Sequence, residues 1–339
     1  MELDWPTEDQ VWFNLRATRA SPPGDAARTA SRREVYLAAL EQAEQLFRAA
    51  GKVPLATRPL LAFYGLSQAG RSIAAASKRL AGSDWDLIGH GLTIKDVHKD
   101  LPNIAVAVHG KPQSSFKRLS GILDSPLPLE GSTRFTLGNL WDAIPEGQGN
   151  PIVDDRDRRP VMYFQHGGHV PHQLAMGTVC GFPRSLAEGT NKADEFRKFM
   201  ASYPHAAGYR MLLTEPSSEI PNFQVSEYRV DLVMHWDTGI PNATESQQLD
   251  RLQPILTTYG GSRYLSPAMP DTERPLHPLM TWWAVLYALS MLARYEPSAW
   301  SKNIDVNRSK YAVPLEVILK HALIAVPQII WTTLTEVSK

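Results

Sequence analysis

Two apolar helical blocks, one towards each end of the chain, constrain the fold more than any other feature. The first begins where Ser31 and Glu34 fit the capping box S-x-x-E, after which Tyr36, Leu37, Leu40, Ala43, Leu46 and Phe47 recur at helical spacing up to Gly51. A second helix is expected from Pro59, a favoured first-turn residue, through LLAFYGLSQAGRSIAAASKRL to Gly82. Near the other end, HPLMTWWAVLYALSMLARY runs up to Pro297, and Pro314 opens PLEVILKHALIAV. The stretch from Leu279 to Ala293 is shorter than the roughly 20 residues a bilayer requires, so it predicts a buried core helix. Each block is too apolar to face water by itself, and the economical arrangement packs one against the other.

Between the blocks the pattern changes. IAVAVHG, TRFTLGNLW, RPVMYFQH and FQVSEYRVDLVMHW are short runs rich in Val, Phe and Tyr, divided by Pro, Gly and Asp clusters. They predict an irregular antiparallel β region, with a short helix over 194–203. Residues 17–31 are small, polar and broken by Pro and Gly, which reads as a loop. The expected fold class is therefore α+β. An N-terminal extension or linker covers 1–30, a helical block 31–99, a β-rich insertion 100–270, and a C-terminal helical block 275–335 packs on the first.

Composition narrows the function classes. Of the 339 residues 43% are hydrophobic and 21% charged, as in a globular protein and unlike a disordered chain. The 35 basic and 35 acidic residues cancel, so any polyanion must be held by a local patch. A single cysteine, Cys180, excludes an internal disulfide framework and any C-x-x-C motif. The first residues lack the basic and apolar regions of a signal peptide, and the two features together point to the cytoplasm without a membrane partner. G-x-x-x-x-G-K-[ST], H-E-x-x-H and a G-x-G-x-x-G after a strand are all missing, so no cofactor is expected. Gly65 to Gly70 resembles a nucleophile elbow only superficially, because it lies inside a helix. His166, His169 and His172 crowd a short segment, but Gly167, Gly168 and Pro171 forbid a helix and no carboxylate or thiol adjoins them as a fourth ligand. A polar strand-to-loop transition is the expected reading, and no metal is assigned. Trp282, Trp283, Trp300 and Trp331 sit in apolar helical settings that predict core packing.

One polar stripe stands out. Tyr64, Ser67 and Arg71 fall at i, i+3 and i+7 on the otherwise apolar second helix, with Gln68 beside them and Arg58 just before. A guanidinium turned into such a core needs a carboxylate or a bound anion, because an unpaired buried charge costs about several kcal/mol. Glu296, at the end of a C-terminal core helix that also carries Arg294, is the internal partner to consider; an anionic ligand is the other. His90 lies between Gly89 and Gly91, whose conformational freedom lets the chain turn the imidazole back towards that helix.

These residues bring a family into view. Arg58-Pro59-Leu60-Leu61-Ala62-Phe63-Tyr64-Gly65-Leu66-Ser67, then His90-Gly91-Leu92, then Leu286 to Pro297 with its LSMLARYEP segment and Trp300, resemble the bacterial YaaC-like family over about residues 30 to 335. That family has no settled activity, so the resemblance implies a coherent bacterial protein and no mechanism. Phe63 to Ala74 followed by a loop histidine is also similar to the helix and downstream histidine of some HEPN-type domains, many of them RNases or nucleotidyltransferase partners in defence and toxin systems. Their nuclease motif is a helical Arg-x(4–6)-His; here that spacing occurs at Arg159 and His166, in a run that reads as a strand.

Three functional expectations follow. The first is a protein that binds an anionic ligand, nucleic acid or nucleotide, through Arg58, Tyr64, Ser67, Arg71, Arg294 and Glu296, since arginine forks match phosphate oxygens. The second is a HEPN-like, metal-independent RNase in which His90 supplies acid/base catalysis and Arg71 stabilises phosphorane charge. The third is a structural role beside a protein partner in a larger assembly.

Overall fold

The computed structural model describes residues 7–127, 134–167, 173–211 and 219–339. The chain divides into two compact units, Met1–Trp141 joined by Leu276–Lys339, and Asp142–Pro275 between them. The α+β class holds, and every paired strand is antiparallel.

The first unit opens with α1 (Glu8–Ala20), α2 (Ala30–Lys52) and α3 (Arg58–Ala76). The segment expected to be a loop from residue 17 is thus helical as far as Ala20. Val11, Trp12 and Leu15 of α1 are buried, and Trp12 meets Phe47 of α2 at 5.7 Å between ring centroids. Residues 8–20 are therefore core rather than linker. Thr29 is the N-cap of α2, so Ser31 and Glu34 do not form the expected capping box there. A capping box occurs instead at Thr244 and Gln247, where both reciprocal hydrogen bonds are made. The third helix stops at Ala76 rather than near Gly82, because Arg32, buried in α2, donates to the carbonyls of Ser77 and Leu80 and holds the chain beyond the helix end in another path.

The β pattern also divides differently from the expected 100–270. β1 (Leu92–Lys95), β2 (Ala105–Val108) and β3 (Arg134–Thr136) pair in that order as a separate sheet of the first unit, with α4 (Ser115–Ile122) between β2 and β3 in sequence and α5 (Leu137–Asp142) after β3. Only from Asp142 does the second unit begin. It comprises β4 (Met162–His166), β5 (Leu174–Cys180), α6 (Arg184–Glu188), α7 (Lys192–Met200), β6 (Tyr209–Met211), β7 (Gln224–Val225), β8 (Val230–Asp237), α8 (Glu245–Leu252), β9 (Thr257–Tyr259) and β10 (Ser262–Leu265). The strands lie in the order β6-β8-β5-β4-β10-β9, with β7 also on β8. Alternation along β8 turns Val230, Leu232, Met234 and Trp236 into a core with Phe164, Val179, Phe196 and Phe199. Buried donors there find partners: Trp236 Nε1 donates to Ala206 O at 2.9 Å and Tyr203 Oη to Pro160 O at 2.6 Å.

The chain then completes the first unit with α9 (Pro278–Tyr295), α10 (Pro297–Asn303) and α11 (Ala312–Val337). Every residue of α9 from Leu279 to Leu292 is buried, as the apolar run predicts. Trp282, Trp283 and Trp300 are buried and Trp331 is half-buried. α11 begins two residues before Pro314 and carries Pro327 in its interior. It is long and apolar enough to cross a membrane by length and composition, and over half of that apolar window is buried. The two helical blocks pack together through α3, α9 and α11. Gly70 permits the closest approach: a Cβ there would lie 2.6 Å from the Trp283 ring. Gly65 does the same for α2, where a Cβ would meet Phe47 at 2.8 Å. The glycines of the GLSQAG segment therefore serve packing.

Candidate functional site

The site lies in the first unit, where α3, α9 and the loop before β1 converge. Because α3 packs its small residues on α2 and α9, its stripe of Tyr64, Ser67 and Arg71 remains half-buried. Arg294, in the last turn of α9, reaches the stripe and donates from Nη1 to Tyr64 Oη at 2.9 Å. Its guanidinium also lies 5.0 Å from the Tyr295 ring centroid.

His90 is carried in by backbone geometry. Gly89 and Gly91 adopt φ of 62° and 82°, the left-handed region that favours glycine. The loop is pinned on three sides: the Ser115 N–H and hydroxyl donate to Gly89 O at 3.3 and 2.7 Å, the Phe116 N–H to His90 O at 3.1 Å, and the His109 N–H to Gly91 O at 2.9 Å. The half-buried imidazole then meets the rings of Phe63 at 5.2 Å, Tyr287 at 6.2 Å and Tyr64 at 6.4 Å. Tyr287, which donates to Leu92 O at 2.9 Å, ties α9 to the start of β1. His90 Nδ1 is buried and has no hydrogen-bond partner among the described residues. Burial, and then the positive charges of Arg294 and Arg71, hold the imidazole below its ordinary pKa, so it is neutral at neutral pH.

The electrostatics differ from the internal ion pair considered above. Among the described residues, Arg71 and Glu296 form no ion pair with each other; Glu296 is the boundary residue between α9 and α10, and its side chain makes no cap hydrogen bond. Among the described residues Arg294 likewise has no carboxylate partner; it contacts the Tyr64 hydroxyl and the Tyr295 ring. Two guanidiniums therefore act on one neutral imidazole with no acidic side chain bonded to either. Arg58 stands apart: its Nε donates to Ala50 O and its Nη2 to Val53 O, both at 3.1 Å, which closes the end of α2. Ser67 keeps its place on the stripe beside the cluster.

The geometry thus brings Tyr64, Ser67, Arg71, His90 and Arg294 to one region, with Phe63 and Tyr287 as apolar backing. A family model of YaaC-like proteins matches residues 10–334. The chain belongs to the YaaC-like family. No curated protein and no solved structure matches it. The match to the YaaC-like family takes in α1, which the earlier resemblance, starting near residue 30, had left out. Similarity to HEPN-type domains finds no support in this YaaC-like chain: Arg159 precedes β4 and His166 ends it, so their spacing lies on a strand rather than a helix. His169 and His172 lie outside the described residues.

Aromatic positions around the imidazole are the part that sequence reading missed. Phe63 and Tyr287 sit next to quoted site residues, yet their meeting at His90 depends on the contact between α3 and α9, for which no local pattern exists. Among the described residues no group of three His, Cys, Asp or Glu side chains is placed to hold a metal ion.

Proposed function

We propose that this YaaC-like protein binds a phosphorylated ligand, a nucleotide or the end of a nucleic acid, at Arg71 and Arg294, with Tyr64, Ser67 and His90 around them. The observation that carries this reading is the pair of guanidiniums acting on one half-buried imidazole without a bonded carboxylate. Where positive charge is gathered and no acidic side chain is bonded to it, an anion relieves the repulsion between the half-buried Arg71 and the exposed Arg294. Guanidinium forks suit phosphate oxygens, and the Tyr295 ring, 61% exposed beside Arg294, offers a face on which a base can stack. The Arg58 contribution falls away in this reading, since its fork is engaged by backbone carbonyls.

Calorimetry with pyrophosphate and adenosine 5′-monophosphate tests it. Both anions bind the wild-type chain, and Arg71→Ala and Arg294→Ala each weaken binding by about tenfold or more, equivalent to the loss of a charge-assisted hydrogen bond. Circular dichroism and the urea midpoint remain those of the wild type. Failure of both anions to bind, or a loss of folding in step with the loss of binding, overturns the proposal.

A further inference from the structure

The site also holds information about the charge of the phosphate. Resting on the anion-binding reading, we infer that it takes a terminal phosphate monoester as the dianion, and that His90 gains a proton as the ligand binds. Arg71 and Arg294 present two permanent positive charges, which a monoester dianion balances and a diester, with a single charge, leaves half answered. The imidazole responds to that balance. While the two cations dominate its surroundings and the rings of Phe63, Tyr64 and Tyr287 keep water from it, its neutral form is favoured. A dianion cancels the charge of the two cations and supplies an acceptor oxygen to a ring whose Nδ1 has no partner among the described residues.

Other charged groups near the loop do not compete for this role. On α4, Lys117 donates to Gly110 O and Arg118 pairs with Asp84; His109 meets the loop through its backbone N–H; Glu296, between α9 and α10, makes no ion pair with Arg71 or Arg294 among the described residues. From α3 the groups facing the ring are Tyr64 and Arg71, and from α9 Tyr287 and Arg294. The proton comes from the buffer, and no bond of the ligand breaks.

The sign of the linkage is set by these partners. The free-site His90 lies below its ordinary pKa and the bound-site His90 above the free value, so dianion affinity rises as pH falls through the interval between the two. The test compares adenosine 5′-monophosphate with its phosphate methyl ester on the full chain, by calorimetry in buffers of different ionisation enthalpy between pH 9 and pH 7, where a monoester with a second pKa of about 6 stays mostly dianionic. The monophosphate is expected to bind with proton uptake that grows towards one proton as pH falls, and the methyl ester about tenfold more weakly without uptake. His90→Gln should abolish the uptake and weaken monophosphate binding at pH 7 towards its pH 9 value, the remaining affinity coming from the guanidiniums. A 5′-phosphorylated hexaribonucleotide that binds more tightly than the monophosphate assigns the terminal phosphate to a strand end, and equal or weaker binding assigns it to a free nucleotide. Equal affinity for monophosphate and methyl ester, binding without proton uptake, or a hexaribonucleotide indifferent to its 5′-phosphate overturns the inference and leaves anion binding standing. Absence of binding by monophosphate, ester and pyrophosphate alike removes the anion-binding reading itself.

Discussion

At position 91 a side chain meets two obstacles at once. The backbone stands at φ of 82°, and a Cβ there would fall 2.7 Å from Ser114 Oγ. Gly91→Ala should therefore destabilise the first unit by about 1–3 kcal/mol, read as a lower urea midpoint, and should weaken anion binding because the His90 loop no longer seats on α4. Sequence alone made this position legible, since a histidine flanked by glycines announces a special turn. The stripe of Tyr64, Ser67 and Arg71 was legible too, through helical period. What could not be read was the company each residue keeps. Glu296 is close to Arg294 in sequence and looked like a partner for Arg71, yet among the described residues it pairs with neither guanidinium. Arg58 looked like one more phosphate ligand and instead closes a helix end. Side-chain partnership is a three-dimensional property, and periodicity carries only one of those dimensions.

Among the elements, α1 shows how little apolar pattern is needed for a helix to join a core. Val11, Trp12 and Leu15 are its buried residues, while Phe13 is 61% exposed, so no strong stripe marked the segment in advance. Trp12, fully buried, meets Phe47 of α2, and the helix also packs on α11. Trp12→Ala should cost about 3–5 kcal/mol, measured by urea unfolding, with α1 losing hydrogen-exchange protection first. By contrast α9 was plain from its sequence, because an unbroken apolar run must be buried. The β segments were recognisable individually by composition, but not their allegiance: 105–108 and 134–136 resemble 162–166 in residue type, and only pairing separates the sheet of the first unit from that of the second. Strand partners are chosen by register and topology, which neighbouring residues do not encode.

At the scale of the whole molecule, each unit has its own core, and so each can respond to conditions in its own way. The second unit contains Glu146, whose Oε1 accepts from Tyr259 Oη at 2.7 Å while its Oε2 is buried without a partner. Burial pushes this carboxyl up to about 7. A folded-state pKa above the unfolded value of 4.5 means that the protonated form is favoured by folding. The resulting stability is fully present below about pH 4.5 and is lost as pH rises to about 7, by up to about 3 kcal/mol. Hydrogen exchange of β8 amides at pH 5 and pH 8 should show that loss in the wild type and not in Glu146→Gln. Amides of α3 and α9 should not follow it; a change there of the same size would mean that the two units unfold together.

The proposed anion site draws on both ends of the chain, with Tyr64, Arg71 and His90 on one side of the inserted unit and Arg294 on the other. A ribosome therefore finishes the whole intervening unit before the second guanidinium exists. A product cut short ahead of Pro278 carries Arg71 without Arg294 or the helix that presents it, so the two cations of the proposed site come together only after the inserted unit has been made.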